Sequence, residues 1–232
     1  MTKFKIIVVD PPWSFGDKLT MSSVKRGSES QYDTMGDGDL ADLDIEKLAA
    51  DDAVLALWCP SALLDQGLFV MKEWGFTPKQ THIWVKTKKE PFKETIKVIK
   101  KIIKFGITNR NDDSGASGDH VDELGSKMNM NDMLAFGLGR IFRQTHEVCL
   151  IGTRGKVSGM IKDKAQRSVH FAPTSKHSSK PEALQDMLDK MYPRVKKLEV
   201  FARRDRKGWV CVGLECPSTV GEDVHDSIKR LG

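Results

Sequence analysis

The chain has 232 residues, with 37 Lys+Arg against 32 Asp+Glu and 39% hydrophobic residues. This length can bury one ordinary core, and 30% charged residues with 7% aromatics exclude a disordered chain. A formal net charge of +5 permits an anionic partner without requiring one.

Phe4–Val9 (FKIIVV) is an apolar, β-branched run that ends at Asp10-Pro11-Pro12-Trp13. The prolines stop the strand ladder, so Asp10 is expected at a strand's carboxyl end, where ligands bind in open α/β sheets. Residues 14–43 read as loop, and Asp44–Ala50 as a short helix. Nine acidic residues and one basic residue lie between Ser28 and Asp52. Ala53–Cys59 reads as a buried strand. Ser61–Trp74 follows as a helix, with Ser61 as N-cap and Gly75 as its stop, and Gln80–Lys86 is the next strand. Strand, helix, strand at this spacing predicts an α/β fold with a parallel or mostly parallel sheet flanked by helices.

Residues 87–140 break that rhythm and read as an insertion on one edge of the core. From Lys86 to Arg110 there are nine basic residues and two acidic ones. A basic helix is expected over Glu90–Lys104. Its Ile96, Ile99 and Ile103 recur at helical spacing as a stripe to dock on the core, among Lys93, Lys97, Lys100, Lys101 and Lys104. Asn109–Asp119 reads as loop and Asn129–Leu138 as a second short helix. The core resumes with strands at Glu147–Gly152 and Val169–Ala172, a helix at Pro181–Met191, and strands at Lys197–Phe201 and Trp209–Val212.

Cys59, Cys149, Cys211 and Cys216 are too few for a disulfide scaffold. No CxxC pair is present, so they read as buried or free thiols in a reducing compartment, with no metal site. Met1–Lys5 enters the first strand without a signal peptide. No apolar run reaches the roughly 18–20 residues of a membrane span. A cytoplasmic protein with no membrane partner is expected.

Asp-Pro-Pro-Trp suits one kind of chemistry. A carboxylate accepts a hydrogen bond from an amino group, prolines hold a rigid turn with outward carbonyl acceptors, and an indole offers a flat stacking face. Acceptors for both N–H bonds of an exocyclic amine on a planar base help to expose a lone pair otherwise delocalised into the ring.

The tetrad Asp10-Pro11-Pro12-Trp13 resembles the DPPW signature of the MT-A family of adenine-N6 methyltransferases. Other segments are similar to that family in order. They are Tyr32-Asp33-Thr34-Met35, Leu57-Trp58, Trp74-Gly75-Phe76, Ile83-Trp84-Val85-Lys86, Glu147–Gly152, Ser179-Lys180-Pro181-Glu182, Leu198–Arg204, and Gly208-Trp209 with Gly213. The resemblance implies a Rossmann-like fold, S-adenosylmethionine as cofactor, and methyl transfer to adenine N6 in nucleic acid, DNA above RNA. Catalysis would fall to Asp10, Pro11, Pro12 and Trp13. Cofactor contacts would come from Asp10, Lys180, Phe201, Arg203, Gly213, Leu214 and Glu215, with Lys180 on the carboxylate. Trp13 would stack on the base and Tyr32 would lie in a loop closing over the site. Lys86, Lys93, Lys97 and Lys100 would contact phosphate, which makes the insertion the target-recognition region of a single methyltransferase domain spanning residues 1–232. A homo- or heterodimer is compatible with this reading. Leu214 departs from the family, which usually carries Asn there; one ribose hydrogen bond is lost. The alternatives are an RNA adenosine methyltransferase, or a catalytically silent nucleic-acid-binding partner of an active homologue.

Overall fold

The computed structural model describes residues 3–15, 34–108, 130–137, 139, 141–174 and 179–232. Among the described residues there are seven strands: β1 (Phe4–Val9), β2 (Ala49–Cys59), β3 (Thr77–Thr87), β4 (His146–Arg154), β5 (Val169–Pro173), β6 (Lys197–Val200) and β7 (Val210–Val212). They form one sheet in the order β5-β3-β4-β2-β1-β6-β7. The helices are α1 (Asp37–Ala41), α2 (Ile45–Leu48), α3 (Leu64–Glu73), α4 (Lys93–Thr108), α5 (Ala183–Met191) and α6 (Val224–Leu231). The architecture is the α/β, Rossmann-like one expected.

The apolar runs explain the centre of the sheet. β1 has Phe4 and Ile6–Val9 fully buried, the pattern of a strand covered on both faces. It pairs in parallel with β2 on one side and β6 on the other, and β6 pairs in parallel with β7. The register aligns Val9 with Leu57 and Val200, and Val200 with Val212. The neighbouring β1, β6 and β7 therefore end at one level and their next residues share one sheet edge, while β2 runs on to Cys59.

Several expectations need correction. Strand, helix, strand predicted neighbours, yet β4 lies between β2 and β3 and runs antiparallel to β2. Its buried run VCLIG carries no local mark of direction. Ser61 opens a 3₁₀ turn rather than capping α3, which begins at Leu64, while Gly75 does follow its end with φ 75°. β2 starts at Ala49, because Phe4 pairs with it, and this cuts the expected 44–50 helix back to α2. Within 14–43, α1 forms over Asp37–Ala41. The 129–138 candidate is a 3₁₀ turn over Met130–Met133. β6 stops at Val200, since Phe201 turns to φ 61°. α6 had no counterpart in the sequence reading. The expected loop 109–119 and Tyr32 lie outside the described residues.

Contacts group the chain into two units, Met1–Trp84 with Glu147–His170 and Glu182–Gly232, and Val85–His146 with Phe171–Pro181. The second therefore takes in 171–181 besides the whole span of the expected insertion. In the first, one hydrophobic core joins β1, β2, α3 and β6, with Trp13, Trp74 and Leu198 among its members. In the second, α4 half-buries Thr95, Val98 and Ile102 and leaves Ile96, Ile99 and Ile103 exposed. The stripe expected to dock on the core instead faces out.

Candidate functional site

The site is built where β1, β6 and β7 end. Asp10 follows β1, and its backbone N–H donates to the Val200 carbonyl at 3.4 Å. This ties the Asp10 turn to the end of β6. Asp10 itself is half-buried.

The two proline carbonyls are not the outward acceptors expected. The Pro11 carbonyl accepts from the Trp13 N–H at 3.0 Å, and the Pro12 carbonyl accepts from the Met35 N–H at 2.8 Å. The Ser14 N–H donates back to the Met35 carbonyl at 2.9 Å. Residues 14 and 35 are thus joined beside the turn. Each carbonyl keeps a second lone pair, but the primary acceptor at the turn is the Asp10 carboxylate.

Trp13 is also placed differently from expectation. It is only 5% exposed, and its indole N–H donates to the Trp58 carbonyl at 2.8 Å. The ring belongs to the core and braces the turn from below; it is not an open stacking face. Trp58, Trp84 and Trp209 are buried too, as expected of core residues.

Beside this turn lies a second one. Phe201 sits at φ 61°, a left-handed conformation that costs a bulky residue of order 1–3 kcal/mol and persists only where surroundings fix it. Here the Ala202 N–H donates to the Val212 carbonyl at 2.9 Å. Gly213 packs directly beneath. A Cβ at Gly213 would lie 2.7 Å from the Ala202 nitrogen, 2.9 Å from the Phe201 carbonyl carbon, and closer still to the Ala202 oxygen. The buried Thr219 hydroxyl pins Gly213 from the other side, accepting from its N–H and donating to its carbonyl, both at 3.0 Å. Leu214 points outward at 60% exposure, and Arg203 meets Glu215 in an ion pair at 3.7 Å. Five of the predicted cofactor residues, Phe201, Arg203, Gly213, Leu214 and Glu215, are therefore brought together on two adjoining turns.

A further network holds those turns to α5. The Arg206 guanidinium bonds Glu182 and Asp186 at 2.6 Å and Asp189 at 2.8 Å, while the Trp209 indole and Lys197 also reach Asp189. Burial works to raise the Asp189 carboxyl. The bonds from Arg206, Lys197 and Trp209 outweigh it and hold the pKa below the ordinary 3.8.

Glu199 is a site residue to which the sequence reading gave no role. It is buried near the end of β6, and burial raises its carboxyl, with Asp10's charge adding to the rise. Gln185 donates to one oxygen at 3.0 Å; the other oxygen has no partner among the described residues. An acidic residue inside the apolar run LEVF was the available signal. Burial pushes the Cys59 and Cys211 thiols up to about 12, so neither offers a thiolate. All four cysteines are free and buried, as expected.

The remaining predicted residues lie in the second unit. Lys180 is half-buried directly before Pro181. Lys86 is half-buried in β3, with its N–H on Thr145 and its carbonyl accepting from Ala135. On α4, Lys93 pairs with Glu90 at 3.0 Å and Lys97 with Glu94 at 2.8 Å, while Lys100 is exposed. No metal-holding group of His, Cys, Asp or Glu occurs among the described residues, nor any helix long and apolar enough to cross a membrane.

Comparison with known proteins adds an independent finding. The MT-A70 family model matches residues 4–104 and 125–215. The Type II methyltransferase M.MunI of Mycoplasma sp is 25% identical over 230 residues, covering 93% of this chain and 78% of that protein. The probable N(6)-adenosine-methyltransferase MT-A70-like protein of Oryza sativa subsp. japonica is 24% identical over 91% of this chain and 23% of its own length. The N(6)-adenosine-methyltransferase catalytic subunit METTL3 of Homo sapiens is 24% identical over 91% of this chain and 28% of its own length. The chain thus spans most of the bacterial relative and about a quarter of the two eukaryotic ones.

Proposed function

The chain belongs to the MT-A70 family, and from that premise we propose that it transfers a methyl group from S-adenosylmethionine to the N6 amine of adenine in DNA. The observation that carries this reading is the Asp10 carboxylate, held at a strand end beside the Phe201 and Gly213 turns.

The residues present fit the cofactor. Glu199 keeps a buried carboxylate oxygen without a partner among the described residues, and the Asp10 charge adds to the rise of its carboxyl. A cationic ammonium group matches that pair. Glu215 and Arg203 offer an acceptor and donors for ribose hydroxyls, and Phe201 an apolar surface for a purine. Lys180 has the charge for a carboxylate. When bound, S-adenosylmethionine supplies an activated methyl group.

The chain's own part is positioning and hydrogen bonding. Asp10 accepts from the target amine and draws electron density back onto its nitrogen. No strong base is needed first, because the amine proton becomes acidic only as the methyl group bonds. The Trp13 and Met35 bonds keep the turn rigid, so little reorganisation remains during reaction. The choice of DNA leans on the length shared with M.MunI; the eukaryotic relatives, named adenosine methyltransferases, keep RNA as the second reading.

The test is incubation with methyl-labelled S-adenosylmethionine and separate DNA and RNA, then digestion and base analysis. N6-methyladenine from DNA is the expected product. Label in RNA alone would transfer the assignment to the second reading, and no label in either would overturn both.

A further inference from the structure

The second unit carries an apolar feature that the proposed chemistry does not use. Residues 137 and 144 close a short loop by two backbone bonds, Gly137 N–H to the Gln144 carbonyl at 2.9 Å and Gln144 N–H to the Gly137 carbonyl at 3.2 Å. Gly139 lies against the Phe142 carbonyl with no room for a Cβ, so the loop is tightly folded. Its tip presents Ile141 and Phe142 at 88% and 84% exposure, among the most exposed large apolar side chains of the molecule. Phe136 is exposed beside them, and the Arg143 guanidinium lies 5.8 Å from its ring centre.

The charge around this tip selects its occupant. No acidic residue occurs from Met133 to His146, while Arg140 and Arg143 flank the apolar pair in sequence. The Ala135 N–H donates to the Lys86 carbonyl and the Lys88 N–H to the Met133 carbonyl, both at 2.9 Å, so the base of the loop runs beside a lysine-rich strand end. Apolar side chains protruding between cations match a polymer that alternates stacked bases with phosphates. A protein surface, by contrast, would favour a broad apolar face with carboxylates at its rim for these arginines.

We propose that Ile141 and Phe142 form a wedge that enters the base stack of a nucleic-acid duplex, with Arg143 on the neighbouring phosphate. This rests on the adenine-methylating reading above. An adenine inside a duplex cannot reach a catalytic carboxylate without leaving the stack, and apolar wedges offset the lost stacking. The wedge matters chiefly for duplexes; a single strand has no paired stack to open.

Two measurements on the full chain decide the matter. In the first, the double variant Ile141→Ala/Phe142→Ala is assayed on one sequence that the wild type methylates, offered as duplex and as single strand. The expected result is a loss of roughly tenfold or more on the duplex and a change within about twofold on the single strand. Equal losses on both, or no loss on the duplex, overturn the wedge while leaving the methyltransferase reading intact. In the second, which needs no activity, fluorescence anisotropy compares an intact duplex with one carrying an abasic site. Wild type is expected to bind the abasic duplex roughly fivefold or more tightly, and the double variant to lose that preference. Absence of a preference in wild type overturns the wedge. A dimeric wild type that becomes monomeric in the variant, with equal losses on both substrates, would reassign the tip to a protein interface. Failure of wild type to methylate either nucleic acid would sink the functional reading and leave the binding comparison to judge the wedge alone.

Discussion

Gly213 presses its backbone against Ala202 at the carboxyl ends of two neighbouring parallel strands, where a Cβ would lie 2.7 Å from the Ala202 nitrogen. The contact and the Thr219 pin together hold Phe201 in its left-handed turn. Gly213→Ala should therefore push the 201–202 turn away and cost about 1–3 kcal/mol. Urea unfolding measures the stability, and S-adenosylmethionine titration should show weaker binding. Unchanged values for both would mean that the turn yields freely.

Asp10→Ala should remove the main acceptor at the turn. Methyl transfer is expected to fall by roughly 100-fold or more, the scale of losing a positioned polar group at a reacting centre. Stability should change by about 1 kcal/mol or less, since Asp10 is half-buried at a strand end. Rate and melting temperature, measured on the same preparation, separate the two effects. Full residual activity would remove Asp10 from the mechanism.

Arg206→Met should loosen the loop between β6 and β7 by leaving Glu182, Asp186 and Asp189 without their shared cation. About 2 kcal/mol of destabilisation is expected. The Asp189 carboxyl is held below its ordinary 3.8, so its contribution is present above that pH and fades as pH falls through the lower folded value. The variant should weaken this acid-side dependence and keep the part due to Lys197 and Trp209, as seen in unfolding curves between pH 5 and pH 2.

His82 and His170 stack face to face, with ring nitrogens 2.7 Å apart. Burial and the neighbouring His170 push His82 down to about 4 from 6.5. The folded state thus resists a proton that the unfolded state accepts between those values. Stability should be constant above pH 6.5 and fall as pH drops toward 4, by up to about 1.4 kcal/mol per pH unit for this group. His82→Leu should flatten that slope, and a slope unaltered by the substitution would locate the titration elsewhere.

The lysines of α4 should not weigh equally in nucleic-acid binding. Lys93 and Lys97 already face Glu90 and Glu94, whereas Lys100 is exposed to solvent. Lys100→Gln should reduce the salt slope of binding by about 0.9, the release expected for one phosphate contact, and Lys93→Gln by less. Anisotropy across a salt series reads this directly.

What could be read from sequence alone followed how local its cause was. β1 and the Asp10 turn were legible because six apolar residues and two prolines declare themselves in ten positions. The antiparallel insertion of β4 was not, since its partner β2 lies about ninety residues away. The engagement of the Pro12 carbonyl by Met35 is likewise a long-range event, and nothing in Asp-Pro-Pro-Trp announces it. The exposed Ile96, Ile99 and Ile103 show that periodicity identifies a face without saying which way it turns. α6 had a legible start, because Asp223 caps it by accepting from the His225 N–H at 2.8 Å. Its apolar Val224, Ile228 and Leu231 are too sparse to declare a helical face by themselves.

The closure of residues 14 and 35 onto one another has a consequence for how this protein can change. A segment whose two ends are clasped at the same point can gain, lose or exchange residues without moving the carboxylate beside the clasp, and its closure entropy changes only slowly with length. The sequence between the clasped ends and the carboxylate beside them are thereby separable, free to vary at different rates.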